Sequence, residues 1–564
     1  MLRFDDSNTF WKISRKHLDL QRAPQSSPLR PNGDWDRLPA ELVVKIFEEL
    51  SAVLLVHLSG VCRKFRAVIC DSLTLNYKIK CLIAGVEDGS VHLYSLSDRC
   101  ERLHRWTEGW KSMHQRWPNG PSVTIARTSE VDISCDGALL VQVSRNAREV
   151  SLSRLPSESR DIPSETWRLP SFSFEIETFS HDHTQGLLVL VEPIDARTLH
   201  IHLVSERTGL AHPWASKPII DVHFHEDLGT TLCVVDVHGC FLSVLFSGDD
   251  AAPPSHKNHM RVYNWKLGIL VKMLDSPRME NSVMLDDRHI LVPADLPMCE
   301  GPCLVLLDCF RGEEEGIDVD IEAHNEAILM LQLPRLKYPS TYKMIEIWSS
   351  LASPNRARNI PFTVSPSSGI LAIHVTINTN DGAGTVVWGR GEPTLAHTFI
   401  VPVSVFLSRL KAVKADQDQF LYHAQDEVRY PRPVTVLPWA LWGQDARLLP
   451  QSSCIEAMCN SRALIQETVD GHKVIAIYDF ATIPSLLKDI HSLDGDSGNG
   501  LHSIPAPFDQ GPSGVLETRV LSAAPLRRVV TDFTRENEEE FLLYEDGVCV
   551  FIPGTNAPIN VYSL

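Results

Sequence analysis

Three histidine pairs have the spacing of metal ligands. His181 and His183, His200 and His202, and His223 and His225 each stand two residues apart. On an extended strand such a pair shares one face, from which two imidazoles reach toward one ion. No carboxylate or cysteine stands at a spacing that completes a set, so each pair reads as a polar, solvated strand face. Cys299, Cys303 and Cys309, in "CEGPCLVLLDC", offer one C-x₃-C without a second ligand pair and read as inert buried thiols. The acidic runs at 313–315 and 536–540 read as solvated loops. Trp439 and Trp442, in "VLPWALWGQDAR", read as core aromatics in a strand-to-turn unit.

Sequence signatures of catalysis are missing. There is no phosphate-binding G-x-x-x-x-G-K-[ST], no G-x-S-x-G elbow, no H-E-x-x-H and no G-x-G-x-x-G after a strand. "SPSSG" at 365–369 lacks the first glycine of the elbow and reads as a turn. The expectation is a non-enzyme with no catalytic residue, no cofactor and no metal. The net charge of −18 argues against a nucleic-acid partner, because phosphate contact needs a positive surface. The 13 cysteines form no tight framework, "MLRFDDSNTF" lacks the apolar core of a leader, and no apolar run approaches the ~20 residues that span a bilayer. These features predict reduced thiols, a cytoplasmic or nuclear location and no membrane partner.

The 564 residues predict two or three domains, or one large repeat. Residues 1–33 are polar, carry "RAPQSSPLRPNG", and read as a flexible leader. Residues 34–80 have a helical apolar period. Leu42, Ile46 and Leu50 lie four apart, with Val43 and Phe47 beside them, behind a Pro39 suited to a helix start. "SAVLLVHLSG" and "VCRKFRAVIC" follow as two more helices, the first two joined by a break short enough for a tight hairpin. Residues 81–120 form a linker region whose helix carries a stripe of Leu96, Cys100, Leu103, Trp106 or Thr107, Trp110, Met113 and Trp117. Asp98 and Glu101 are its candidate capping box, and the stripe is expected to pack on the following domain.

From 121 to 564 the chain reads as all-β, with apolar runs of four to eight residues between turn signals and few helical periods, such as "IPSLLKDI". "LHIHLVSERTG" and "RVYNWKLG" are alike, each a strand ending in a polar stretch and Gly, with the hairpin "TTLCVVDVHGCFLSVLF" between them. A strand–hairpin–strand unit repeating every 50 to 60 residues or so predicts a degenerate β-propeller of roughly seven blades, without a blade-marking Trp-Asp dipeptide. A pair of packed β-sandwiches is the alternative.

"LPAELVVKIFEELSAVLLVHLSGVCRKFRAVICDSLTL" resembles the F-box. The family pattern is met by Leu38, Pro39, Glu41, Leu42, Ile46, Phe47, Leu50, Leu58, Ser59, Val61, Cys62, Arg63 and Phe65. Where the family often has an acidic residue before the second helix, "SAVLL" has none, and Ser51 can cap that helix instead. "YKIKCLIAGVEDG", the Trp-bearing helix, the β tract, "PWALWGQDAR" and a late "LRRV" together resemble the F-box proteins of mushroom-forming fungi. The resemblance implies docking to the Skp-type adaptor of a cullin–RING ubiquitin ligase through Leu38, Pro39, Leu42, Ile46, Phe47, Leu54, Leu58, Val61 and Cys62. The β tract would then capture a protein substrate whose identity is not legible. Two rival readings stay open: a scaffold that binds the adaptor without a cullin, and a propeller enzyme or ligand-binding protein with an F-box attached.

Overall fold

The computed structural model describes residues 38–89, 93–117, 122–127, 131–144, 148–195, 197–223, 232–247, 258–276, 281–295, 301–309, 318–320, 327–338, 340–350, 360–378, 394–421, 435–450, 453–469, 471–480, 508–510, 516, 520–522, 527–534 and 539–564. The chain divides into two compact units, Met1–Leu75 and Asn76–Leu564.

In the first unit α1 (Ala40–Glu48) starts after Pro39, whose carbonyl accepts from the Leu42 and Val43 amides. Proline fits there because its missing N–H would have no intrahelical partner. α2 (Ala52–Ser59) is capped by Ser51, whose Oγ accepts from the Leu54 amide at 3.3 Å, as its position ahead of the apolar run predicts. α3 (Arg63–Asp71) is capped by Cys62, whose Sγ accepts from the Phe65 amide at 3.4 Å. Val43, Phe47, Leu55, Val56, Val68 and Ile69 form the core of this unit. The rings of Phe47 and Phe65 meet edge to face at 5.2 Å. The boundary between the units falls within α4 (Leu73–Ala84).

In the second unit, seven sheets of four or five strands follow one another among the described residues. Their first strands begin at Val131, Thr178, Leu232, Val283, Thr341, Cys454 and Glu540. Each sheet starts as an antiparallel meander, and adjacent sheets share an apolar cluster: Leu188 and Leu190 of the second sheet join Leu139 and Val141 of the first, while Leu187 and Val189 join Val235 and Val244 of the third. A sheet buried on both faces reads as a continuous apolar run, which is why "GLLVLVEPI" does not alternate. The last sheet is completed from the other end of the ring. Val123–Ile125, ahead of the first blade, pairs antiparallel with Ile559–Ser563, setting Ile125 opposite Ile559. The result is a closed seven-bladed propeller, not a pair of sandwiches. Closure buries the apolar sheet faces that the two end blades of a linear stack would leave exposed.

Gly209 and Gly268, at the ends of the two look-alike segments, have φ of +69° and +65°, so the glycines mark equivalent left-handed turns. The expected hairpin forms between Leu232–His238 and Phe241–Ser247.

Three local expectations change. α5 (Leu96–Arg116) is capped by Ser95 and Asp98, not by Asp98 and Glu101: Ser95 Oγ accepts from the Asp98 amide and the Asp98 carboxylate accepts from the Ser95 amide. A short strand, Val86–Asp88, interrupts the helical region and pairs with Phe362–Val364. Within the β tract lies a 19-residue helix, α6 (Val403–Leu421). Its Val403, Phe406, Leu410 and Val413 are buried at helical spacing against the fourth and fifth blades. "IPSLLKDI" lies outside the described residues.

The stripe on α5 packs as expected. Leu103, Trp106, Trp110, Met113 and Trp117 join Ile475 and Ile477 of the sixth blade and Phe541 and Val548 of the seventh. The Arg462 guanidinium lies 4.7 Å from the Trp106 ring and 4.5 Å from that of Trp110.

Candidate functional site

A helix buries one stripe and solvates the rest. α1 and α2 break that rule in the same way. On α1, Val43 and Phe47 turn inward while Leu42, 51% exposed, and Ile46 stand one turn apart in solvent. On α2, Leu55 and Val56 turn inward while Val53 and Leu54 face out. Val61, after the turn that ends α2, is 67% exposed. The apolar arc of each helix is wider than a core of this size covers, and clustered exposed apolar side chains mark interaction surfaces. One polar contact ties α3 to the residue ahead of α1: Lys64 Nζ donates to the Leu38 carbonyl at 3.2 Å. Lys45 pairs with Glu48 at 3.0 Å on the exposed side of α1.

The nine residues of the expected docking set fall into three groups. Pro39, Leu42, Ile46, Leu54, Val61 and Cys62 are exposed, and Leu38 and Leu58 are half-buried. Phe47 is 2% exposed and packs on Phe65, so it holds the helices together instead of offering a surface. Val53 was not in the set. α2 is apolar all round, so its period does not say which half turns outward, and only the packed core separates Val53 and Leu54 from Leu55 and Val56.

The histidine pairs fare differently from one another. His181 is buried beside Ser134, and burial pulls its pKa down to about 4. Its neighbour His183 bonds Glu206 at 3.2 Å; burial opposes its charged form, but the Glu206 carboxylate outweighs that and raises its pKa. These two do not converge. His200 and His202 do, on Glu192 of the adjacent strand. His223 ends its strand, and His225 lies outside the described residues.

Cys303 and Cys309 are buried, and burial pushes the Cys309 thiol up to about 12, an inert thiol as expected. Cys299, residues 313–315 and residues 536–538 lie outside the described residues. Trp439 and Trp442 are core aromatics, in a short helix (Trp439–Trp442) and not a strand end, with ring centroids 4.7 Å apart and Trp442 Nε1 donating to the Gln332 carbonyl.

Residues 35–80 match the family described as F-box-like. The chain thus carries an F-box-like domain followed by a seven-bladed β-propeller. No curated protein matches it. Among solved structures, the chain is similar to the WD40 domain of SCAP from fission yeast, at 8% identity and a TM-score of 0.30, over 78% of this chain and 94% of that one. It is also similar to the β-propeller domain of the Trilobed protease from Pyrococcus furiosus, at 10% identity and a TM-score of 0.26, over 76% and 92% of the two chains. Scores this low carry no argument; the propeller stands on its strand pairing. Among the described residues, no helix is long and apolar enough to cross a membrane.

Proposed function

We propose that the protein is a non-catalytic, substrate-recruiting subunit of a Skp–cullin–F-box ubiquitin ligase. The observation that carries this reading is the exposure of Leu42, Ile46, Leu54 and Val61 on an F-box-like hairpin. A partner that covers them gains the burial that the hairpin cannot supply alone, about 1 kcal/mol for each side chain, since each is already about half-buried. The docking surface is Leu38, Pro39, Leu42, Ile46, Leu54, Leu58, Val61 and Cys62, with Val53 added and Phe47 supporting it from within.

The propeller supplies the second half of the function. Loops at the ends of its blades stand on a stiff closed scaffold, a suitable arrangement for reading a protein target. Holding that target beside the charged ubiquitin carrier raises the local concentration of its lysines, and the subunit performs no bond chemistry itself.

The test is co-purification with a Skp-type adaptor and a cullin, comparing wild type with Leu38→Ala, Pro39→Ala and Ile46→Ala combined. Loss of both partners from a folded variant is the expected result. Unchanged adaptor binding overturns the docking assignment. Adaptor recovered without cullin from the wild type overturns the ligase role and leaves an adaptor-binding scaffold.

A further inference from the structure

The second blade brings together four side chains that the function above does not use. In its strand register Glu192 of Leu187–Asp195 stands directly opposite His200 of Thr198–Ser205, and His200 in turn stands opposite Asp221 of Ile219–His223. His202 lies two residues along from His200 on the same face. The Glu192 Oε2 atom is 2.8 Å from His202 Nε2 and 3.5 Å from His200 Nδ1. One donor atom from each of Glu192, His200 and His202 lies within 4.8 Å of the other two. A tetrahedral ion held about 2.0–2.1 Å from each donor would set the donors roughly 3.3 Å apart, so small side-chain rotations suffice.

Two further contacts hold the imidazoles in place. His200 Nε2 is 3.3 Å from Asp221 Oδ1, which leaves Nδ1 for a metal and fixes the ring by the carboxylate–histidine arrangement that orients metal ligands. Phe174 stacks on the His202 ring at 4.0 Å and 10°. The group is half-buried, so an ion can enter from solvent, and the donors are drawn from two paired strands of one sheet.

We propose that Glu192, His200 and His202 bind a zinc ion, with Asp221 orienting His200 and solvent completing the coordination. Two imidazoles and one carboxylate suit zinc and disfavour magnesium and calcium, which take oxygen ligands. The site lies within the propeller and does not depend on the docking role.

The experiment uses the full chain, stripped with chelator and titrated with Zn2+ by calorimetry beside the His200→Ala/His202→Ala variant. The comparison separates this site from any zinc held by thiols elsewhere in the chain. The expected result is one zinc equivalent present in wild type and absent from the double variant, unaffected by excess Mg2+ or Ca2+. Co2+ loading should give a visible absorption band that the variant lacks. Asp221→Asn should weaken binding 10- to 100-fold. Glu192→Gln, which keeps the shape of the strand, serves if the double variant is unstable, and should also lose the tight equivalent. Equal zinc stoichiometry and affinity in wild type and Glu192→Gln would overturn the proposal.

Discussion

Trp106 on α5 donates its indole N–H to Asp546 at 2.9 Å, across 440 positions of sequence. Asp546 is fully buried and also accepts from Arg160 Nε at 2.9 Å, while the Arg160 guanidinium reaches Glu545 as well. One carboxylate therefore joins the long helix, the loop after the third strand of the first blade and the hairpin turn of the last. Removing its charge leaves the buried Arg160 with Glu545 as its remaining carboxylate partner among the described residues. Asp546→Asn is expected to lower propeller stability on the order of 3–5 kcal/mol, measured by chemical denaturation. Trp106→Phe deletes one hydrogen bond to the same carboxylate and should cost less, about 1–3 kcal/mol. Equal costs for the two would show that Arg160 is not the main partner.

The outward and inward faces of the helical unit should respond differently. Leu54→Asp and Val53→Asp, both on exposed positions, should leave helicity and thermal midpoint nearly unchanged yet weaken adaptor binding. Loss of a large apolar contact at such an interface costs about 1–3 kcal/mol, roughly five- to 150-fold in affinity. Phe47→Ala empties a core position and should cost about 3–5 kcal/mol, enough to melt so small a unit. Circular dichroism of the isolated variants separates the two outcomes. Retained helicity in Phe47→Ala would contradict its place in the core.

Much of this molecule was legible because its local signals agree. Pro39 and Ser51 announced two helix starts, the Trp-bearing stripe announced a packed face, and Gly209 and Gly268 punctuated equivalent strands. What was missed depends on pairing across the chain. Glu192 lies eight or more residues from the histidines it meets, and only the register of two strands brings it there. α6 was missed because its apolar residues sit in a tract dominated by strand-like runs. The blade period shows in the sequence only through two look-alike segments and the hairpin between them; beyond Thr341 it stretches, since α6 and further chain intervene before the strand at Cys454. Phe47 shows the limit of a linear motif, which names a position without saying which way its side chain turns.

Acid should weaken the propeller through two buried histidines. His181 and His397 are both pulled down to about 4, by burial first, and neither ring nitrogen of His397 has a hydrogen-bond partner among the described residues. In the unfolded chain both titrate near 6.5, so between about 6.5 and 4 the unfolded state binds more protons. Stability is therefore full above the unfolded value and is lost as pH falls through 4, by on the order of 3 kcal/mol per histidine at full depth. His397→Phe removes one titration and should flatten the fall of the denaturation midpoint across that window. An unchanged slope would mean that His397 is solvated when charged.

Closure of the ring rests on a short strand. Val123–Ile125 pairs with Ile559–Ser563, and Ile125 is buried against Leu140, Cys549 and Ile559. Ile125→Asp places a carboxylate in that apolar cluster without a cation to meet it, and a buried unpaired charge is strongly unfavourable. The expected response is local: the closing strand detaches before the blades separate, because each other blade keeps its own meander. Amide hydrogen exchange should accelerate in Ile559–Ser563 and Val123–Ile125 far more than in Leu187–Asp195 of the second blade, with a lowered thermal midpoint. Exchange that rises equally in all blades would mean that the ring opens as one cooperative unit; exchange that rises nowhere would mean that this strand does not hold it closed.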